Sequence, residues 1–302
     1  MNDKNKIILG EKVIVRPLVR KDVDDLINAG FPFSKGAINS PLHYKILRAI
    51  KLLPNATWLS AYHVEEKCAI GCFSLVRCTP SLYSIQYVFI DPRFRRAGVA
   101  TKLLNYALLL AREKGAKKCF LDVAESNIPA VNLYKKMGFI MLTRIIEGQG
   151  RLSKPLLENE NGLTITKIRL RKNKNLLFNL YQRCMCHEWI NFFETNDRNF
   201  INGYTHRFRR FFFRNVFIND STDSFAIIFK HPFLSNVTVE LYDTSDATTR
   251  IPMLKDIFKI LYNKGIENIT ILLFNVDRNK SLHLLKEMGL NAFPLLCMGK
   301  HI

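Results

Sequence analysis

The chain has 302 residues, of which 48% are apolar, and its 45 basic and 26 acidic residues give a formal net charge of +19. This length suffices for two domains of typical size, and the apolar content allows each a sizeable core. The apolar runs fall short of the roughly 18 residues that a membrane span needs, and the polar N-terminus lacks a secretory signal, so we expect a cytoplasmic protein without membrane association.

The first half of the chain predicts a mixed order of strands and helices. Apolar and alternating runs favour strands at 12–17, 57–64, 69–76, 82–90, 118–123 and 139–146. Amphipathic spacing favours helices at 20–30, 41–53, 97–114 and 129–137. The predicted fold class is therefore α/β with a mixed sheet.

The junction between the strand that ends at Ile90 and the next helix is rich in basic and small residues. Arg95 and Arg96 can pair with phosphate oxygens. Gly98, flanked by small alanines, lets the backbone approach an anion closely. The helix start directs free N–H groups and the positive end of its dipole to the same place. The junction therefore predicts a phosphate-binding cradle.

This segment resembles the GNAT superfamily, the acyl-CoA-dependent N-acyltransferases. The family has a pyrophosphate loop of the form Arg/Gln-x-x-Gly-x-Gly/Ala, followed later by an Asn, a Tyr and a Gly-Phe pair. The matching residues are Arg95, Gly98 and Ala100 in the loop and Asn127, Tyr134, Gly138 and Phe139 in the later block. The resemblance implies a GNAT fold, acetyl-CoA as cosubstrate without a metal, and N-acetyltransferase activity by direct attack of a primary amine.

The resemblance also implies two contacts with acetyl-CoA. A backbone N–H at the strand end would polarise the thioester carbonyl, and the loop would hold the pyrophosphate. The strand residues are Val88, Phe89 and Ile90, and the loop residues are Arg95, Arg96, Ala97, Gly98, Val99, Ala100 and Thr101. Asn127 would hydrogen-bond the cofactor arm or cap the helix that follows it, and the two roles are compatible.

Acetyl transfer needs a proton donor for the leaving thiolate and a base for the attacking amine. By resemblance Tyr134 lies at the cofactor and donates the proton, since a phenol with a pKa of about 10 is protonated at neutral pH. Asp122, acting through water, is the first candidate for the base, and Glu125 is the second. Tyr83 and Tyr87 could also line the slot for the pantetheine arm that the resemblance implies beside the cradle.

The acceptor and the oligomeric state are left open by the sequence. A small-molecule amine and a protein N-terminus are both compatible with the resemblance. Segment 31–41 has the composition of a loop that would line the acceptor site.

The seven cysteines are spread through predicted strands and helices, which is typical of reduced thiols rather than of a disulfide framework. Cys184, Cys186 and His187 resemble half of a metal site. Because no second pair at suitable spacing completes four ligands, we predict no metal.

The second half predicts another copy of the same plan. The tract 147–162 is rich in Gly, Asn, Glu and Pro, which indicates a connection between domains. Predicted strands follow at 163–171, 207–217, 224–229, 236–242 and 269–274, and predicted helices at 174–196, 253–264 and 280–288. We therefore predict a catalytic domain at 1–150, a linker at 151–162 and a degenerate GNAT-like domain at 163–302.

The second copy lacks the residues that carry the chemistry. Thr248 stands where the first copy has Gly98, and Leu285 stands where it has Tyr134. A β-branched threonine would crowd a pyrophosphate, and a leucine cannot transfer a proton. We predict that this copy does not bind coenzyme A in the manner of the family.

Two other classes of function remain open. One is a non-catalytic sensor that binds acyl-CoA and a protein or RNA. The other is a nucleic-acid-binding module that uses the basic and aromatic residues of 207–214. The same pattern is typical of a strand with one solvated face, which we favour.

Overall fold

A computed structural model of the chain describes residues 7–8, 12–31, 56–152, 165–169, 172–193, 213–219, 223–230, 236–243, 247–274 and 277–302. The chain divides into two compact units, Met1–Leu121 with Gly299–Ile302 and Asp122–Met298. Across the described ranges, none of the helices has the length and apolar character needed to span a membrane.

The first unit contains a mixed sheet. Its strands, in the order in which they lie side by side, are β1 (Ile7–Ile8), β2 (Val13–Pro17), β3 (Ala56–His63), β4 (Cys68–Arg77), β5 (Leu82–Ile90) and β6 (Lys118–Ala124). Neighbours are antiparallel except β5 and β6, which are parallel and joined by helix α2 (Val99–Glu113). Helix α1 (Arg20–Asn28) buries Val23 and Leu26 in a core with Trp58 and Cys72.

The second unit contains a larger mixed sheet. Its strands, side by side, are β13 (Asn291–His301), β7 (Ile140–Arg151), β12 (Asn268–Phe274), β11 (Asn236–Asp243), β10 (Ser224–Lys230), β9 (Phe213–Asn219) and β8 (Ile165–Ile168). Its helices are α3 (Ile128–Lys136), α4 (Lys174–Cys184), α5 (His187–Phe193), α6 (Ala247–Tyr262) and α7 (Arg278–Glu287). Strands β11 and β12 are parallel and are joined by α6, whose apolar face packs into the main core of this unit.

The order of elements in the second half repeats that of the first. In each half a first strand and helical segments precede three antiparallel strands, and the last of these is joined by a helix to a parallel strand. A further helix and a long final strand complete each copy. The structure therefore confirms the predicted α/β class with a mixed sheet and two tandem copies of one plan.

Strand β7 differs from its prediction, because residues 147–151 continue the strand instead of forming a connection. A Cβ added to Gly148 would lie 2.9 Å from Leu285 Cδ1, and one added to Gly150 would lie 2.7 Å from Leu290 Cδ2. The glycines that indicated a linker thus allow α7 and the residues after it to pack closely on the strand.

Two further differences concern the second half. The helix predicted at 174–196 is divided into α4 and α5, because Met185 adopts an extended conformation with φ −100° and ψ 145°. Strand β13 was not predicted, and it contains Pro294, a residue type that is uncommon inside strands. The helix predicted at 41–53 lies outside the described residues.

Candidate active site

A β-bulge interrupts β5 close to its end. Strand β4 pairs Cys72 with Phe89 and Ser74 with Gln86, so two residues of β5, Tyr87 and Val88, face one residue of β4. Tyr87 has φ +55°, which is rare for a bulky side chain. Such bulges redirect the backbone groups that follow them. The backbone groups of Val88–Ile90, the predicted thioester site, are therefore directed differently from those of a regular strand.

Two residues of β4 contact the backbone of β5 closely at this bulge. A Cβ added to Gly71 would lie 2.7 Å from the carbonyl oxygen of Phe89, which shows how closely the two strands approach. The Sγ of Cys72 lies 3.7 Å from the carbonyl oxygen of Tyr87, to which the thiol donates a hydrogen bond. Burial raises the pKa of the Cys72 thiol, so it retains this proton at neutral pH.

The parallel ladder between β5 and β6 is short. It joins Leu82–Ser84 to Lys118–Phe120 and ends there. The six residues from Ile85 to Ile90 continue past this ladder, so their main-chain groups on that edge lie outside it. This early end of the ladder is what an extended ligand arm needs in order to reach the strand.

The turn after β5 is held by buried Asp91. Its carboxylate accepts hydrogen bonds from the backbone and side chain of Arg93, and these bonds lower the pKa of Asp91. The Arg95 Nε donates to the carbonyl oxygen of Ile90 at 3.1 Å, which ties this side chain to the strand end. Arg93 therefore serves the turn, while Arg95 lies at the predicted cradle.

The start of α2 has the geometry of an anion cradle. Arg96 and Gly98 adopt left-handed conformations with φ +62° and φ +78°, and Gly98, as the N-cap residue, has no side chain with which to cap the helix. The first helical hydrogen bond runs from Lys102 N–H to Gly98 O, so the N–H groups of Val99–Thr101 precede the ladder. Among the residues that the structure describes, none beyond its chain neighbours has an atom within 4 Å of a Cβ placed on Gly98. These features fit a pyrophosphate.

The two tyrosines that could line the slot differ in their surroundings. Tyr83 is buried, and its hydroxyl donates to the carbonyl oxygen of Lys114 at 3.2 Å, so it links β5 to the end of α2. Tyr87 is 51% exposed, and its ring stacks on Trp58 with centroids 5.1 Å apart. Of the two, Tyr87 presents surface to a ligand.

The segment between β6 and α3 carries the other predicted residues, all in the second unit. Asp122 is half-buried on β6, and Asn127 caps α3 by accepting a hydrogen bond from Ala130 N–H at 3.4 Å. Glu125 is bound by two arginines, with Arg144 Nη2 2.9 Å from Oε1 and Arg278 Nε 3.2 Å from Oε2. The predicted capping role of Asn127 is therefore present in the structure.

Tyr134 lies on α3 with its side chain 6% exposed. Its ring packs edge-to-face on Phe139, with centroids 6.0 Å apart. Its hydroxyl forms no hydrogen bond with another residue that the structure describes. Burial raises the pKa of Tyr134 to about 12, so the hydroxyl keeps its proton at neutral pH and is available as a donor.

The first unit thus brings Val88–Ile90 and Arg95–Thr101 to one strand–helix junction, and the second unit holds Asp122, Glu125, Asn127 and Tyr134 in one short segment. Sequence reasoning missed the contributions of Gly71 and Cys72. A glycine inside a strand pattern is the signal that would have indicated a close backbone approach for the former. Nothing comparable marks the cysteine.

Other predicted residues are only partly described. Segment 32–41, residues 207–212 and residues 245–246 lie outside the described residues, and Thr248 lies in the first turn of α6. Buried Cys184 ends α4, and the Cys186 thiol donates to the carbonyl oxygen of Leu142. Within the described ranges, no three His, Cys, Asp or Glu side chains are grouped as metal ligands would be.

Comparison with known proteins gives a family match and structural neighbours. Residues 21–139 match the acetyltransferase (GNAT) family. An N-alpha-acetyltransferase of Sulfurisphaera tokodaii is 37% identical over 71 residues, which are 22% of this chain and 42% of that protein. The match thus spans less than half of that relative.

Two solved structures align over nearly the whole chain. A GCN5-related N-acetyltransferase from Sphaerobacter thermophilus has a TM-score of 0.63 at 13% identity, with 97% of each chain covered. A tandem GNAT protein from the clavulanic acid biosynthesis pathway has a TM-score of 0.55 at 11% identity, with 96% of this chain and 98% of that chain covered. At these identities the likeness shows the fold.

Proposed function

Because residues 21–139 match the GNAT acetyltransferase family, we propose that the chain transfers an acetyl group from acetyl-CoA to a primary amine. The observation that carries the proposal is the cradle at the start of α2, where left-handed Gly98 and an uncapped helix terminus follow a bulged strand. Such a terminus favours a phosphate-bearing ligand.

The cradle supplies the contacts that the pyrophosphate of acetyl-CoA needs. The N–H groups at Val99–Thr101 donate hydrogen bonds, and the guanidinium groups of Arg95 and Arg96 offset the negative charge. Bound acetyl-CoA supplies the thioester. A main-chain N–H of Val88–Ile90 donates to its carbonyl oxygen and stabilises the negative charge that develops there when the amine attacks.

Tyr134 supplies the proton for the departing thiolate. Its buried hydroxyl is protonated at neutral pH, and its ring contact with Phe139 restricts the orientation of the donor. For the base we prefer Asp122, acting through water, over Glu125. The reason is that the Glu125 carboxylate is already held in ion pairs with Arg144 and Arg278.

The same proposal assigns one active site to the chain. Residues 1–151, up to the end of β7, form the catalytic copy, 152–162 lead to the second copy, and 163–302 form a copy that binds no acyl-CoA. The acceptor is a small-molecule amine or a protein N-terminus.

The test combines a binding and a turnover measurement. Acetyl-CoA at about 100 times its Kd should stabilise the chain by about 2.7 kcal/mol in thermal unfolding. Gly98→Glu should abolish this stabilisation. Gly265→Glu is the matched control, since Gly265 has a similar φ of +69° and equally open surroundings but lies outside the cradle. It should retain the effect of acetyl-CoA.

Turnover is measured as thiol release from acetyl-CoA with a polyamine, an aminoglycoside and a peptide with a free N-terminus. Release with one of these amines is the expected result. Absence of stabilisation by acetyl-CoA would refute cofactor binding. If acetyl-CoA stabilises the chain but no amine of the panel is acetylated, the result would favour a non-catalytic sensor over an enzyme.

A further inference from the structure

Glu125 is held by three contacts in the turn between β6 and α3. Its N–H donates to the carbonyl oxygen of Pro294 on β13 at 2.9 Å, and its carboxylate faces Arg144 and Arg278. Pro294 and Arg278 both come from the second half of the chain. The second copy therefore contributes directly to the turn that carries predicted catalytic residues of the first.

Arg278 occupies an unusual place for a cation. It is the first residue of α7, directly after Asp277, which caps the helix by accepting a hydrogen bond from Lys280 N–H at 2.8 Å. A positive charge at this end of a helix is disfavoured by the helix dipole. The Glu125 carboxylate offsets that repulsion, so the ion pair stabilises a cation at an otherwise unfavourable position.

The turn that Glu125 occupies determines where α3 begins. Asn127 N–H donates to the carbonyl oxygen of Ala124 at 2.9 Å, and the Asn127 side chain caps the helix. Because Tyr134 lies two helical turns further along α3 and its hydroxyl has no hydrogen bond to a described residue, the helix itself sets the position of that hydroxyl.

We propose that Arg278 is a positioning residue for Tyr134 and acts by holding the β6–α3 turn through Glu125. This inference rests on the proposed function, in which Tyr134 donates the proton. It gives the second copy a role in acetyl transfer that needs no cofactor site of its own. Displacing a catalytic group by about 1 Å can cost about 100-fold in rate, so a loosened turn is expected to be visible in kcat.

The experiment compares Arg278→Gln with Arg183→Gln in the full chain. Arg183 is a suitable control because it forms an ion pair with Asp223 in the second half, and its side chain is about as exposed as that of Arg278. We expect Arg278→Gln to lower kcat about 10-fold, with the KM for acetyl-CoA within about twofold of the wild type. Arg183→Gln should leave both constants unchanged.

Two more measurements separate positioning from loss of stability. Arg278→Lys, which keeps the charge, should restore part of kcat, and Glu125→Gln combined with Arg278→Gln should be no worse than Glu125→Gln alone. Hydrogen exchange of amides 122–136 should accelerate in Arg278→Gln and not in Arg183→Gln. An active wild type with unchanged kcat in Arg278→Gln would overturn the positioning role alone, whereas an inert wild type would overturn the proposed function and this role with it.

Discussion

The strand–helix junctions of the two copies differ in length. Between β5 and α2 the chain has eight residues, 91–98, whereas between β11 and α6 it has three, 244–246. Eight residues provide more chain to surround a pyrophosphate than three do. The longer junction therefore favours the first copy as the place of the proposed cofactor site.

The strands beside these junctions show a second difference. The β4–β5 ladder is interrupted by the bulge, whereas the β10–β11 ladder runs without a shift from Ser224–Asp243 to Lys230–Val237. The β5–β6 ladder has three residue pairs, and the β11–β12 ladder has six. Strands β11 and β12 therefore stay hydrogen-bonded nearly to the end of β11, whereas β5 continues for six residues beyond its ladder with β6.

Aromatic side chains occupy the end of the second parallel pair. Tyr242 at the end of β11 stacks on Phe274 at the end of β12, with centroids 5.1 Å apart, and on Phe225 at 4.7 Å. All three are almost fully buried. A packed stack of this kind agrees with the prediction that this copy binds no coenzyme A. The fold is common to both copies, and the proposed site rests on a bulge, a short ladder and a long turn in the first.

The comparison predicts one acetyl-CoA per chain. Isothermal titration calorimetry of the wild type should give a single site, and Gly98→Glu should leave none. A second binding event, or binding that survives Gly98→Glu, would show that the closed junction of the second copy also accepts the cofactor.

The variant Tyr134→Phe tests whether the first copy uses this hydroxyl as the proton donor, which Leu285 of the second copy lacks. Loss of the proton donor should lower kcat by about 100-fold, because general acid catalysis contributes a factor of this order or more. Binding of acetyl-CoA, followed by thermal shift, should change little. Tyr106→Phe on α2 is the control for removal of a half-buried tyrosine hydroxyl. Full activity in Tyr134→Phe would remove Tyr134 from proton transfer.

Much of this contrast could be predicted from the sequence, since the cradle of the first copy is local. Arg95, Gly98 and the helix start are contiguous, so their spacing alone indicated an anion site. The features that close the second copy are not local. The stack of Tyr242 on Phe274 and the register of the β11–β12 ladder depend on strands whose pairing no short pattern specifies.

The glycines of β7 show the same limitation. Composition indicated a flexible connection at Gly148 and Gly150, yet both are in a strand under Leu285 and Leu290. A strand glycine that permits close packing and a linker glycine look alike in the sequence, because the partner lies more than a hundred residues away along the chain. The contact of Arg278 with Glu125 was missed for the same reason.

Gly71→Ala and Gly148→Ala form a matched pair, one in each unit. The new Cβ would lie 2.7 Å from the Phe89 carbonyl oxygen in the first and 2.9 Å from Leu285 Cδ1 in the second. Each should lower the free energy of unfolding by about 1–3 kcal/mol, measured by urea denaturation. Only Gly71→Ala should also lower kcat, because it displaces the bulged backbone. If kcat is equal in both variants, the position of the bulged backbone does not contribute to turnover.

The smallest expected effect is a pH dependence of stability that comes from Tyr134. The second copy has Leu285 at the corresponding position, and a leucine side chain does not titrate. Burial raises the pKa of Tyr134 from 10.0 to about 12, so the folded chain holds this proton more tightly than the unfolded chain does. The stabilisation is fully present below pH 10 and is lost as the pH rises towards 12. Urea denaturation should therefore show a steeper loss of stability in this window for the wild type than for Tyr134→Phe. Parallel curves for the two proteins would mean that the hydroxyl is solvated in the folded state, and a solvated phenol at this position would weaken the case for a shielded proton donor.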